Sequence, residues 1–300
     1  MANMSEDPGV SFSCTGITAL VTGASRGLGR EIASALVSAG ASVALVARTR
    51  TELERTKDDL EGRLHDGSRV SCCAVDLSDE TAPEALADAL DTAGMRPDVL
   101  VNNAATQGPI GPFWENDWKE WTQSICLNAY APLRLCRMVL PEMIRRRKGK
   151  IINLSGGGAA GPRPGFSAYG AAKTMLVRFT ETLADEVKPF GIDVNAVAPG
   201  AMKSAMTEAV IAAGPGKAGR KEYDAALQLG PGTPEVALRA ARLCVFLASS
   251  ASDGISGRLI SAAWDPWETL ASHRDELART DVYTLRRIVP ADRAMSWGQR

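Results

Sequence analysis

Thr22-Gly23-Ala24-Ser25-Arg26-Gly27-Leu28-Gly29 is the stretch on which the reading of this chain turns. Before it, Ile17-Thr18-Ala19-Leu20-Val21-Thr22 is a short apolar run that ends at glycine. After it, Gly29 to Ala39 has helical spacing and closes at Gly40. In a strand, glycine turn and helix, glycines at 23, 27 and 29 let the backbone turn sharply and approach a ligand. The unpaired N–H groups and dipole of the helix start then suit a phosphate.

Outward from this unit the same rhythm continues. Ser42–Ala47, Val70–Val75, Val99–Val101, Lys150–Leu154, Ile192–Val197 and Arg258–Ser261 read as strands. Thr51–Leu64, Pro83–Ala93, Trp114–Met143, Tyr169–Val187 and Pro234–Leu247 read as helices, with Pro132 kinking or dividing the longest. Strands without polar alternation are buried on both faces. The fold class expected is α/β: a Rossmann-type doubly wound parallel sheet of about seven strands flanked by helices, in a single domain. Residues 1–14 read as a flexible tail, 15–262 as the domain and 263–300 as a C-terminal extension. Within the domain, the Gly-, Ala- and Pro-rich stretch 200–233 reads as a long mobile excursion beside a substrate.

Composition removes several function classes. The 300 residues are 45% hydrophobic and 23% charged, and 34 basic against 35 acidic residues leave a net charge of −1. That balance offers no electrostatic footprint for nucleic acid or for a broadly basic membrane surface. No apolar run nears the roughly 20 residues of a membrane-spanning helix. Residues 1–9 lack the basic and apolar regions of a signal peptide. Six cysteines, at 14, 72, 73, 126, 136 and 244, show no metal-type spacing and read as free thiols. A reducing, cytoplasmic setting without a metal is the expectation. Arg145-Arg146-Arg147-Lys148 reads as a solvated helix C-terminus.

Taken with four further stretches, the glycine turn resembles the short-chain dehydrogenase/reductase family over residues 15–261. Val75-Asp76-Leu77 matches the family segment that contacts adenine. Asn102-Asn103-Ala104-Ala105 resembles Asn-Asn-Ala-Gly, with Ala105 in place of the glycine. Tyr169-Gly170-Ala171-Ala172-Lys173 matches Tyr-x-x-x-Lys, and Pro199-Gly200 with Ser204 matches the turn beside the nicotinamide. The resemblance implies a cofactor site of Gly23, Ser25, Arg26, Gly27, Leu28, Gly29, Arg48, Asp76, Leu77, Asn103, Tyr169, Lys173, Pro199, Gly200 and Ser204.

Charge narrows the cofactor. A ribose 2′-hydroxyl is usually held by an acid at the end of the second strand, and a 2′-phosphate by cations. Here that strand ends Val46-Ala47-Arg48-Thr49-Arg50, with no carboxylate. Arg48 offers a planar fork for phosphate, and Arg26 approaches the same place in the family, so NADP(H) is expected.

Family chemistry moves a hydride between nicotinamide and a carbonyl or alcohol carbon. A tyrosine with a pKa near 10 is a poor base at neutral pH. Lys173 lies one turn beyond Tyr169 on the same helix face, where its charge stabilises the phenolate. The resemblance implies that Tyr169 donates or accepts the proton, that Lys173 also holds the nicotinamide ribose, and that Asn128 kinks its helix and positions a relay water. The family's catalytic serine is missing: Leu154-Ser155-Gly156-Gly157-Gly158 puts glycine at that position. Ser155 points away if the strand stays regular, unless the glycines bulge and turn it inward. Otherwise a backbone N–H, Ser167 or a water takes over.

Two functional readings follow: an NADP(H)-dependent oxidoreductase acting on a carbonyl or alcohol, and a binding protein, sensor or assembly partner, that keeps NADP(H) without turnover. The substrate loops carry Trp114, Arg163, Phe166, Met202 and Met206, with Arg163 either meeting an anionic substrate or solvated. A homo-oligomer, dimer or tetramer, is expected on the family pattern. The extension holds Trp264, Trp267 and Tyr283, and Glu268 to Arg279 reads as a helix. It is expected to pack over the substrate cleft or a neighbouring subunit, or to patch the domain's own surface.

Overall fold

Along the central strands, side chains alternate between two apolar layers. Ala19, Val21, Val43, Leu45, Val99, Val101, Ile152 and Leu154 enter one layer. Leu20, Ala44, Val46, Leu100 and Ile151 enter the other. Burial on both faces is what the continuous apolar strands require, because helices cover each side. A computed structural model describes residues 12–230 and 234–297.

Seven strands form one parallel sheet in the order β3-β2-β1-β4-β5-β6-β7. They are β1 (Thr18–Thr22), β2 (Ser42–Ala47), β3 (Val70–Ala74), β4 (Val99–Asn102), β5 (Gly149–Leu154), β6 (Ile192–Ala198) and β7 (Leu259–Ser261). The helices are α1 (Gly27–Ser38), α2 (Arg50–Glu61), α3 (Ala82–Thr92), α4 (Trp118–Ile125), α5 (Ala131–Arg146), α6 (Ser167–Val187), α7 (Ala205–Ala218), α8 (Arg220–Gln228), α9 (Pro234–Ala248) and α10 (Arg274–Arg279). Gly29, Ile32, Ala33, Leu36 and Val37 bury one face of α1 at helical spacing. The first apolar layer draws on α1, α2 and α9. The second draws on α3, α5 and α6. The doubly wound parallel sheet expected from the sequence is the fold observed.

Four expectations need correction. Residues 1–11 of the proposed tail lie outside the described residues, but 12–14 are anchored. Cys14 is buried, its N–H donates to Ala39 O at 2.7 Å, and the Phe12 ring lies 5.0 Å from that of Phe246. The long helix expected over Trp114–Met143, kinked or divided at Pro132, is interrupted instead by a π-type turn at Cys126–Tyr130. Pro132 merely sits in the first turn of α5, where a missing N–H loses nothing. The excursion at 200–233, outside 231–233, is largely helical. Its α7 and α8 hold Val210, Ala218 and Ala226 against Phe166 in a small core of their own.

The fourth correction concerns the extension. It packs into the domain's own core rather than over the cleft or as a surface patch. Trp267, Leu270 and Leu277 belong to the first apolar layer, and Trp267 is 0% exposed. The expected helix over 268–279 is a 3-10 stretch at Trp267–His273 followed by the short α10. Beyond it the chain runs along the sheet edge. Leu259 N–H donates to Tyr283 O at 2.8 Å, and Leu285 N–H to Glu181 Oε1 at 2.6 Å. The guanidinium of Arg258 donates to the carbonyls of Thr280 and Val282 at 3.0 and 2.7 Å, and to that of Leu277. The open edge of β7 is thereby covered by the chain's own tail.

Candidate active site

The glycine turn is shaped by close approach. Gly29 packs so tightly that an added Cβ would run into Gly23 O and the Asn103 side chain. Gly23 has φ +65, and a Cβ there would sit 3.0 Å from Ala104 Cα. Asn103 ties the turn to β4, its Nδ2 donating to Thr22 O at 2.9 Å. Thr22 Oγ1 accepts from the N–H groups of Asn103 and Ala104 at 2.9 and 3.0 Å. At Gly27 the picture reverses: φ is +55 and an added Cβ would meet nothing within 4 Å. No side chain caps α1. Its first N–H groups therefore stand beside open space and fit a phosphate.

Arg26 and Arg48 are both exposed at this end of the sheet. Among the described residues neither forms an ion pair. Leu28 packs against the first apolar layer. Ser25 Oγ donates to Glu52 Oε2 at 3.0 Å. Glu52, on the first turn of α2, was not singled out from the sequence. Its position four residues after Arg48 was the available signal. Asp76 Oδ1 accepts from Ser78 N–H at 3.0 Å and Ser78 Oγ at 2.7 Å, and Leu77 is buried in the second layer. Past β6, Pro199 leads into Gly200, whose φ is +93 and where an added Cβ would lie 3.1 Å from Ala263 and Val236. Ser204 is the N-cap of α7, accepting from Thr207 N–H at 3.4 Å.

Asn128 lies in the π-type turn and is fully buried. Its Oδ1 accepts from Thr106 N–H at 2.8 Å, and its Nδ2 donates to Thr106 O at 2.8 Å and Ser124 Oγ at 3.0 Å. Asn128 thus straps the bulged helix to the loop after β4. A single π turn re-aims the helix and is common at functional sites.

Tyr169 and Lys173 share the inner face of α6. Lys173 is 2% exposed, its Nζ donates to Leu154 O at 2.7 Å and lies 5.7 Å from the centre of the Tyr169 ring. Burial pulls its ammonium down to about 8. Burial also pushes the Tyr169 phenol up, while the Arg163 charge draws it back. A buried chain supports this face from below: Asn102 Nδ2 donates to Asn153 Oδ1, and Asn153 Nδ2 to Thr180 Oγ1, each at 2.8 Å.

Ser155 N–H still pairs with Val197 O at 2.7 Å, and Ser155 Oγ is buried without a partner. The residue facing the phenol is Gly156: a Cβ there would run into Tyr169 Oη, with ring carbons Cε1 and Cζ at 3.0 Å. Ser155 makes no hydrogen bond to Tyr169 among the described residues. Ser167 Oγ is engaged too, accepting from Trp121 Nε1 at 3.0 Å. Of the substrate-loop residues, Trp114 is 82% exposed, whereas Phe166 is fully buried. Arg163 is half-buried rather than free in solvent. Its guanidinium lies 3.8 Å from the Phe166 ring centre and 5.9 Å from that of Tyr169.

Known proteins share this plan. The family profile described as short chain dehydrogenase matches residues 17–213. A short chain dehydrogenase of Pseudocercospora fijiensis is 35% identical over 191 residues, which span 63% of this chain and 60% of that protein. The chain therefore matches under two thirds of that relative's length. A 3-oxoacyl-[acyl-carrier protein] reductase of Brucella melitensis with bound NAD is 29% identical with a TM-score of 0.69, covering 83% of this chain and 90% of the other. An active-site complex of Pseudomonas aeruginosa RhlG with NADP is 30% identical with a TM-score of 0.71, covering 84% and 96%. No described helix is long and apolar enough to cross a membrane. With the parallel sheet, the glycine turn and the Tyr169–Lys173 face already in place, the profile match over most of the sheet establishes that this chain belongs to the short-chain dehydrogenase family.

Proposed function

We propose that this protein is an NADP(H)-dependent oxidoreductase that interconverts a carbonyl compound and its alcohol. The observation that carries the reading is Tyr169, a buried phenol facing the gap at Gly156, with Lys173 held beneath it by Leu154 O. Bound NADP(H) supplies or accepts the hydride at the carbon. Tyr169 Oη gives the proton to the carbonyl oxygen during reduction and takes it back during oxidation. The Lys173 charge favours the phenolate that results. Asn128 keeps the helix bulge against the loop carrying Thr106, which holds one wall of the site in place.

The exposed, unpaired Arg26 and Arg48 support NADP(H), because a 2′-phosphate needs cations where this chain has no acid at the end of β2. Glu52 accepts from Ser25 and pairs with neither arginine among the described residues. We further propose a homo-oligomer, dimer or tetramer, in a cytoplasmic setting. Tyr130 and Met175 stand 44% and 36% exposed beside α5 and on α6, consistent with a covered face there. A solution mass of one chain at micromolar concentration refutes the oligomer.

Gly156 favours a second reading, in which the chain binds NADP(H) without turnover. Following NADPH absorbance with a panel of ketones and aldehydes separates the two. Consumption supports the oxidoreductase; tight binding with no consumption supports the binding protein.

A further inference from the structure

Arg163 is the one cation set against the Tyr169 ring that the proposed chemistry leaves without a role. It comes from the glycine-rich turn after β5. Its Nε and Nη2 donate to Glu222 Oε2 at 3.0 and 2.7 Å. Both donors therefore converge on a single oxygen, unlike the parallel two-oxygen fork of a matched arginine–carboxylate pair. Among the described residues Nη1 has no hydrogen-bond partner, and Glu222 Oε1 takes nothing from Arg163. The guanidinium keeps spare donor capacity although its side chain is 18% exposed.

Two glycines border this side chain. A Cβ on Gly157 would sit 3.6 Å from Arg163 Cδ, and one on Gly158, at φ +95, would sit 3.4 Å from Arg163 Cβ and 3.0 Å from Gly170 Cα. The same turn carries the missing side chain at Gly156, facing the phenol. Glu222 comes from the other side, on the first turn of α8. It follows Gly219, at φ +80, and the break in α7 at Gly214, at φ +73. Both breaks lie N-terminal to α8, in backbone conformations that favour glycine.

Tyr169 is 7% exposed, so only a small part of it is open to a substrate, and Arg163 stands beside its ring. If Glu222 withdraws, a guanidinium whose side chain is 18% exposed loses its partner, and another anion can take that place. Resting on the oxidoreductase reading above, we propose that Arg163 anchors an acidic group of the substrate, and that Glu222 occupies this place in the free protein. The substrate class is then an oxo or hydroxy carboxylate, or a compound with an equivalent anion, with its carbonyl at Tyr169. A neutral carbonyl compound makes no use of Arg163, whether or not Glu222 stays paired with it.

The test compares 4-oxopentanoate with its methyl ester, using NADPH as reductant, in the wild type, Arg163→Gln and Glu222→Gln. The acid-over-ester ratio of kcat/KM is the readout. We expect the acid to be favoured at least about tenfold in the wild type, one paired charge-assisted contact being worth that much. Arg163→Gln collapses the ratio, whereas Glu222→Gln raises it by removing the internal competitor, mainly through KM for the acid. A purely structural latch predicts the opposite pattern: both variants lose activity on acid and ester alike, with the ratio unmoved. That result, or a wild type that prefers the ester or reduces only neutral carbonyls, overturns the proposal and leaves the oxidoreductase reading standing. If no carbonyl at all consumes NADPH, the oxidoreductase reading fails instead. Calorimetric titration with 4-oxopentanoate then decides Arg163 separately. Binding that Arg163→Gln abolishes and Glu222→Gln strengthens supports the anion site, and absence of binding refutes it.

Discussion

Gly156 and Tyr169 occupy one another's space: the phenol hydroxyl lies where a side chain at 156 would begin. Loss of the family serine is therefore matched by the position of the tyrosine, and restoring the serine is not a repair. With Tyr169 held by burial, Gly156→Ser overpacks the site and should lower stability by about 1–3 kcal/mol. It should also reduce NADPH turnover rather than raise it. Urea midpoints and steady-state rates check both, and a faster serine variant would show that the phenol yields easily.

Tyr169→Phe removes one oxygen from a site whose packing is otherwise kept. Turnover should fall by about 10²–10⁴, the usual worth of a positioned proton donor. NADPH binding, followed by quenching of tryptophan fluorescence, should stay near the wild-type value. Retained turnover places the proton route elsewhere.

Arg48→Asp puts a carboxylate where the 2′-phosphate is proposed to sit. NADPH affinity should drop at least about tenfold through the lost charge-assisted contact and the new repulsion. NADH affinity should be unchanged or improve. Equal affinity of the wild type for both cofactors counts against the assignment.

Lys173 carries a burial penalty that depends on pH. Its ammonium is pulled down to about 8 from its ordinary 10.5, so the unfolded chain binds that proton more tightly than the folded one. Below about 8 both states are protonated and the penalty is present in full. From about 8 to 10.5 the folded state sheds the proton and the penalty shrinks; above 10.5 it is gone. Relative to Lys173→Met, the wild type should therefore gain stability as pH climbs through this window. Paired urea titrations across the window measure it, and a pH-independent difference refutes the shift.

Trp267→Ala should cost about 3–5 kcal/mol, as for other large-to-small changes in a packed core. The residue is fully buried beside Phe246, their ring centres 6.1 Å apart. Truncation after Ser261 should destabilise the protein more, since it also removes Leu270 and Leu277 from the same layer. A truncated chain with an unchanged thermal midpoint would return the extension to the status of a surface patch.

Local pattern and periodicity suffice for the order of strands and helices, the parallel sheet, the glycine turn and the shared face of Tyr169 and Lys173. Each is a property of residues close together in the chain, read through a period of two or 3.6. The helices α7 and α8 escape that reading because glycine, alanine and proline give little amphipathic contrast, and Phe166 supplies their core from outside the segment. The same holds for Trp267, whose burial depends on Phe246 and the α1–α9 layer. Where long-range contact decides, the sequence is silent. The Arg163–Glu222 pair joins residues 59 apart, and the Leu285–Glu181 bond joins residues 104 apart. Glycine at 156 is plain in the sequence, but only the packed α6 shows that the Tyr169 hydroxyl fills its space. Side chains that meet across a sheet or a lid are selected by the whole fold, so their partnership belongs to the tertiary structure alone.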